Sequence, residues 1–230
     1  MTSTAILIPA RYNSSRFPGK PLAKLGTKTM IETVYEKCKQ SGFDTFVLTD
    51  DMRIARLFNW EVCWIDQSNT FENGTERCAG AVSNDFFNAY EQFVNVQGDM
   101  PDVTVEMIEK TNWQLKNYSI STIYTNMPTE KQQDPNTVKM IRSGDRSLWF
   151  GRGITGYGEW HLGVYGYRKH ALQLYPQLEV TQEETLEKLE QLRWLKAGWD
   201  IGCLKVDFDG IEINTPDELT QWNNYRKVVN

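Results

Sequence analysis

The chain has 230 residues, 40% of them hydrophobic and 24% charged, an ordinary globular mixture that excludes a disordered or fibrous polypeptide. That length allows one large domain or a two-lobed unit, and it can bury a core without disulfides or metals as staples. A formal charge of −5 argues against a general nucleic-acid surface, and two histidines, His161 and His170, are too few for a multi-histidine metal site.

In chain order, short apolar runs at 5–9, 45–49, 62–65 and 93–96 predict strands. Helical patterns at 29–40, 51–58, 75–87 and 103–116 lie between and after them. Strands spaced by helices of that length imply crossover connections and a largely parallel sheet. From 120 onward the runs at 120–126, 137–142, 147–150 and 162–168 have shorter connections, which predicts antiparallel additions or a small second lobe. A single long helix is expected over 182–197, where Leu186, Leu189, Leu192, Trp194 and Leu195 recur at roughly helical spacing. Residues 201–206 predict a last strand. Thr215-Pro216-Asp217-Glu218 then supplies an N-cap, a proline at the first helical position and an acidic first turn. The fold class is α/β, one domain over 1–230 with a first half to 119 and a second half from 120.

Cys38, Cys63, Cys78 and Cys203 show neither a C-x-x-C pair nor a disulfide framework and read as small buried hydrophobes. The first apolar run ends at Pro9, too early for a signal peptide or a membrane span, so a reducing, cytoplasmic compartment without membrane attachment is expected.

Ligands of open α/β sheets sit outside the carboxyl ends of the strands. After the first strand, the segment from Ala10 to Lys20 holds Arg11, Arg16 and Lys20 and no acid. Guanidinium forks and an ammonium suit phosphate oxygens, although a solvated basic turn has the same composition. The Walker A pattern fails because Pro21 follows Lys20, and no G-x-G-x-x-G is present. After the fourth strand, Gln97-Gly98-Asp99-Met100-Pro101 presents one carboxylate. Facing a cationic loop, such an acid suits a magnesium–phosphate site; alone, it is an ordinary turn acid.

Together these segments resemble the 3-deoxy-manno-octulosonate (Kdo) cytidylyltransferases. Ile8-Pro9-Ala10-Arg11-Tyr12 and Ser15-Arg16-Phe17-Pro18-Gly19-Lys20-Pro21-Leu22 are similar to the family's nucleotide-binding signature. Asn73-Gly74-Thr75-Glu76-Arg77 resembles its S-G-T-[DE]-R segment, and Val94-Asn95-Val96-Gln97-Gly98-Asp99 its metal motif, with Met100 where Glu is usual. Pro135-Asn136 with Val138-Lys139, the stretch His161-Leu162-Gly163-Val164-Tyr165-Gly166-Tyr167-Arg168, and Leu189-Glu190-Gln191-Leu192-Arg193 match further pieces in the right order.

The resemblance implies a Rossmann-like nucleotide-diphospho-sugar transferase fold, mostly parallel, with a small antiparallel dimerisation lobe. It also implies transfer of CMP from CTP to the anomeric hydroxyl of Kdo by a magnesium-dependent, cytoplasmic homodimer serving lipopolysaccharide synthesis. By matching position, Arg11, Lys20 and Asp99 are expected to be catalytic. Pro9, Ala10, Arg11, Ser15, Arg16, Lys20, Gly74 and Arg77 are expected to bind the nucleotide. Gln97, His161, Tyr165, Glu190 and Gln191 are expected to shape the acidic-sugar pocket. Without the resemblance, His161 reads as a hydrogen-bonded core residue and Glu190 and Gln191 as solvated helix residues. Trp194 reads as a core or dimer contact.

Two features depart from the family pattern. Asn214 stands in Ile213-Asn214-Thr215-Pro216-Asp217-Glu218-Leu219 where the family has its second metal-binding Asp; a neutral amide there leaves Asp207, Asp209 or Asp217 to compensate. The segment between Phe150 and His161 is also shorter than in the family. The implied metal set is therefore Asp99 with Asn214. Two alternatives remain open: the same chemistry on a related sugar acid (8-amino-Kdo or a sialic-acid-like sugar), and a nucleotide-binding protein that has lost catalysis.

Overall fold

Strand β1 (Thr4–Ala10) is buried at every position, and its side chains divide between the two faces of the sheet, as the period of two requires. Ala5 and Leu7 join one apolar cluster, Ile6 and Ile8 the other. The computed structural model describes residues 3–13, 17–66 and 71–229. The short strands β2 (Lys24–Leu25) and β3 (Lys28–Thr29) form a separate antiparallel pair. The remaining strands are β4 (Asp44–Thr49), β5 (Cys63–Ile65), β6 (Gln92–Val96), β7 (Ile120–Thr125), β8 (Lys139–Ser143), β9 (Arg146–Gly151), β10 (Glu159–Arg168) and β11 (Ile201–Lys205). They make one sheet in the order β5-β4-β1-β6-β10-β7-β11-β9-β8.

The first half is parallel as its pattern predicts: β4 and β6 flank β1, and β5 flanks β4. The long strand β10 runs antiparallel to both β6 and β7, so it joins the parallel half to the rest. The antiparallel strands β8 and β9 continue this same sheet. Between Leu162 and Tyr165 the β10–β7 register slips, an irregularity of the kind that re-aims side chains beside functional sites.

Helices α1 (Met30–Lys39), α2 (Met52–Ala55) and α4 (Val105–Gln114) pack on one face through Ile31, Val34, Ile54, Met107 and Ile108. The opposite face is covered by α3 (Gly74–Val82), α5 (Lys169–Leu174) and α7 (Gln191–Lys196), which bury Cys78, Val82, Leu172, Leu192 and Trp194. Trp194 is thus a core residue. All four cysteines are free and buried, and burial raises each thiol, Cys63 and Cys203 to about 11.

Two expected helices are interrupted. The pattern over 75–87 stops at Val82, because Asn84 caps a separate short turn at Asp85–Phe87 by accepting from Phe86 N–H at 3.0 Å. The long helix expected at 182–197 is two pieces, α6 (Gln182–Glu187) and α7, broken where Lys188 takes a left-handed φ of 55°. The break buries Leu189 and leaves Leu186 73% exposed, so one of the leucines counted towards the helical stripe never reaches the core. Helix α8 (Pro216–Val229) begins as predicted: the Thr215 hydroxyl accepts from Glu218 N–H and the Glu218 carboxylate accepts from Thr215 N–H at 2.8 Å, a reciprocal capping box.

Candidate active site

The carboxyl ends of β1 and β6 open into a cleft of about 1140 Å³, ample for a nucleotide and a sugar together. Pro9 and Ala10 end β1 and line it, with Arg11 following. Arg11 Nη1 donates to Glu72 O at 3.1 Å and its side chain is exposed. Ser15 and Arg16, both expected at the nucleotide, lie outside the described residues.

Lys20 is placed by a tight turn. Gly19 adopts a left-handed φ of 73°, and its N–H donates to Tyr12 O at 2.9 Å. A side chain there would both strain the backbone and press on the Tyr12 ring at 3.2 Å. The Lys20 ammonium then reaches Asp99, Nζ to Oδ2 2.5 Å. Asp99 follows β6 in the turn closed by Met100 N–H to Gln97 O at 3.2 Å. Gly98 lets this turn approach β1, since a Cβ would stand 3.2 Å from Pro9 O.

Helix α3 brings Gly74 and Arg77 to the cleft. Asn73 caps it by accepting from Glu76 N–H at 2.8 Å. Arg77 is buried, pairs with Asp50 at 2.6 Å (Nη2 to Oδ2), and keeps Nη1 without a hydrogen-bond partner among the described residues. Glu190 reaches across 115 positions to the same helix start, where its Oε2 accepts from Thr75 N–H at 2.9 Å and Thr75 Oγ1 at 2.6 Å. A carboxylate on those first amides complements the helix dipole. Glu190 is therefore an anchor between α7 and α3 as well as a wall of the cleft, not a solvated residue. Gln191 is buried, and its Nε2 has no hydrogen-bond partner among the described residues. Behind it Arg193 forks on to Glu184 at 2.7 and 2.8 Å and reaches Glu76 at 3.2 Å, which ties α6, α7 and α3 together.

His161 and Tyr165 come from β10 and both line the cleft. The Thr122 hydroxyl donates its one proton to Val164 O at 2.9 Å. It must therefore accept from His161 Nε2, also at 2.9 Å, which fixes the Nε2–H tautomer and leaves Nδ1 an acceptor. Burial, and next Arg152, hold His161 down to about 3. The ring packs edge-on to Phe150, centroids 5.0 Å apart, and beside Tyr165 at 5.2 Å. Both descriptions of His161 hold: it is a satisfied buried residue and it faces the cleft.

Two cleft residues carry no signal in the sequence pattern. Arg152, after β9, lines the cleft while its backbone N–H donates to Glu187 Oε2 at 2.7 Å. Glu212 lines it beside Asn214. Burial, and next the negative charge of Asp99, push the Glu212 carboxyl up to about 7. Asp207 and Asp209 instead line a separate depression with Thr125 and Phe208, and Asp217 lies in the first turn of α8; none of the three acids expected to compensate for Asn214 lines the cleft. Arg152 is a single basic residue in an irregular stretch of sequence, and Glu212 lies two positions from a familiar motif, so neither was readable before folding brought them to this wall.

A family model described as cytidylyltransferase matches residues 5–201. A 3-deoxy-manno-octulosonate cytidylyltransferase from Fusobacterium nucleatum subsp. nucleatum is 34% identical over 239 residues, covering 97% of each chain. An 8-amino-3,8-dideoxy-manno-octulosonate cytidylyltransferase from Shewanella pealeana is 34% identical over 236 residues, covering 94% of this chain and 96% of its own. A solved CMP:2-keto-3-deoxy-manno-octonic acid synthetase complexed with CTP superposes with a TM-score of 0.88 at 29% identity, covering 100% of both chains. The fold is the nucleotide-diphospho-sugar transferase fold expected from the sequence, and the chain belongs to the 3-deoxy-manno-octulosonate cytidylyltransferase family.

Proposed function

We propose that the protein transfers CMP from CTP to the anomeric hydroxyl of Kdo. The observation that carries this reading is one cleft, at the carboxyl ends of β1 and β6, lined together by Arg11, Lys20, Asp99, Arg77, His161, Tyr165 and Glu190. The anomeric hydroxyl gives its proton to solvent as its oxygen bonds to the α-phosphorus, the bond from that phosphorus to the bridging oxygen breaks, and pyrophosphate leaves with the electron pair. Such a transfer asks the protein chiefly for positioning and charge neutralisation. Arg11 and Lys20 hold the triphosphate and stabilise the charge growing on the departing pyrophosphate, with Arg16 and Ser15 assigned to the same loop. Pro9, Ala10, Gly74 and Arg77 border the nucleotide. Gln97, His161, Tyr165, Glu190 and Gln191 border the sugar, and the Nδ1 lone pair of His161 accepts from a sugar hydroxyl. Arg152 adds a guanidinium suited to the sugar's carboxylate.

The cofactor is magnesium. Asp99 and its neighbours Glu212 and Asn214 offer oxygen donors, and no cluster of three or more Asp, Glu, His or Cys side chains suited to a metal is found among the described residues. That donor set suits a cation that takes one or two carboxylates and completes its shell with phosphate and water. When bound, magnesium neutralises phosphate charge and lowers the pKa of the attacking hydroxyl.

The protein acts in the cytoplasm as a homodimer, in lipopolysaccharide synthesis. Free buried thiols support the reducing compartment, and no helix among the described residues is long and apolar enough to cross a membrane. Exposed Leu148 on β9 and Tyr157 in the shortened segment support a subunit contact at that end of the sheet; sedimentation giving a monomer mass would remove the dimer. Pyrophosphate release from CTP with Kdo, 8-amino-Kdo and a sialic acid tests the reaction. Kdo should give the highest kcat/KM. A higher value for 8-amino-Kdo would reassign the sugar, and CTP binding without turnover on any of them would mark a protein that has lost catalysis.

A further inference from the structure

The segment that follows β11 is laced on to the turn carrying Asp99. Ile211 N–H donates to Asp102 Oδ2 at 3.0 Å, as does Trp222 Nε1, and Ile213 N–H donates to the backbone oxygen of Asp99 at 3.1 Å. Ile213 is fully buried with Leu25, Met30 and Trp222 in a small apolar cluster. With Ile213 turned inward, its neighbours on either side face the cleft, and Glu212 and Asn214 both line it with Asp99. Of these two, only Glu212 carries a charge suited to a hard divalent cation.

We propose that Glu212, rather than Asn214, supplies the second carboxylate of the divalent-cation site, opposite Asp99. This rests on the reading that Asp99 holds magnesium. Glu212 lines the cleft together with Gly163, which lies in the irregular stretch of β10 between Leu162 and Tyr165. Gly163 leaves little room to spare, because a Cβ there would stand 3.1 Å from Gln97 Cγ. Asn214 is left to serve as a neutral neighbour.

Mn²⁺ binding followed by electron paramagnetic resonance of the free ion, in the presence of CTP and without sugar, tests the assignment independently of turnover. Wild type is compared with Asp99→Asn, Glu212→Gln and Asn214→Ala, each checked to be folded at the temperature of the titration. Asp99→Asn and Glu212→Gln should each weaken Mn²⁺ binding by at least about tenfold, the scale on which metal sites respond to lost support, while Asn214→Ala changes it less than about twofold. If Asp99→Asn weakens binding and Glu212→Gln does not, Glu212 is no ligand and the inference is overturned while the magnesium reading stands. If neither changes it, the magnesium reading itself fails and carries the inference with it. Should Glu212→Gln unfold the chain, Glu212→Asp replaces it; retraction by one methylene must still lower Mn²⁺ affinity, and unchanged affinity overturns the assignment.

Discussion

Lys20 Nζ and Asp99 Oδ2 stand 2.5 Å apart, both largely buried, with side-chain exposures of 14% and 25%. The cation assigned to the triphosphate and the anion assigned to magnesium are thus partners in the folded chain, across 79 positions of sequence. This pair ties Lys20, after β1, to the turn after β6, and on the proposed function a magnesium nucleotide would meet both charges.

Removing one member leaves the other partly buried and uncompensated. Asp99→Ala should lower kcat/KM by at least about 10²-fold and destabilise folding by roughly 1–3 kcal/mol. Steady-state kinetics and urea denaturation read the two effects separately, and wild-type turnover in magnesium would exclude Asp99 from the site.

Lys20→Met and Arg11→Ala should act on CTP and not on the sugar. Each should raise the KM for CTP by roughly ten- to hundredfold, the loss of one or two charge-assisted bonds, with the KM for Kdo little changed. Kinetics with CTP varied at saturating Kdo check this; equal effects on both substrates would place these cations elsewhere in the reaction.

His161 makes a prediction about pH. Its folded value is held down to about 3, mainly by burial and next by Arg152, whereas an unfolded imidazole titrates near 6.5. Between these values the unfolded chain binds a proton that the folded chain refuses. Stability is therefore unaffected by this group above about 6.5 and falls as the pH drops towards 3. Denaturation series from pH 8 to 4 should show a shallower loss in His161→Asn than in wild type. The ring is neutral throughout turnover conditions, so a kinetic pKa of 6 to 7 abolished by His161→Asn would contradict the assigned tautomer and role.

Glu190 joins stability to the site. Its carboxylate holds the first amides of α3 through Thr75, so Glu190→Ala should cost roughly 1–2 kcal/mol and loosen the edge that carries Gly74 and Arg77. Hydrogen exchange at the start of α3 should accelerate in the variant. Exchange unchanged from wild type would reduce Glu190 to a sugar contact.

Much of the cleft wall was legible before folding, because it lies in short contiguous segments at strand and helix ends: Pro9 to Arg11, Lys20, Gly74 and Arg77, and Gln97 to Asp99. The parallel half of the sheet was legible for a related reason, since doubly buried strands such as β1 are continuous apolar runs. What the pattern hid depends on long-range contacts. The leucines over 182–197 keep helical spacing on both sides of Lys188, yet the chain breaks there so that Leu189 is buried and Glu190 meets Thr75. Glu212 gives no local signal. Its place beside Asp99 is created by the backbone bond from Ile213 N–H to Asp99 O, a contact between segments 114 positions apart. The motif position of Asn214 directed attention to a neutral side chain while the carboxylate two residues earlier faced the same cleft.

Transfer of CMP to Kdo is read out by ³¹P nuclear magnetic resonance of CTP incubated with the protein, Kdo and magnesium. The proposed transfer requires loss of the triphosphate signals, with one phosphodiester and one pyrophosphate appearing in equal amounts only when Kdo is present, and neither appearing with Asp99→Ala. Persistence of CTP with Kdo and with related ulosonic acids, or pyrophosphate appearing without a phosphodiester to the sugar, would contradict it.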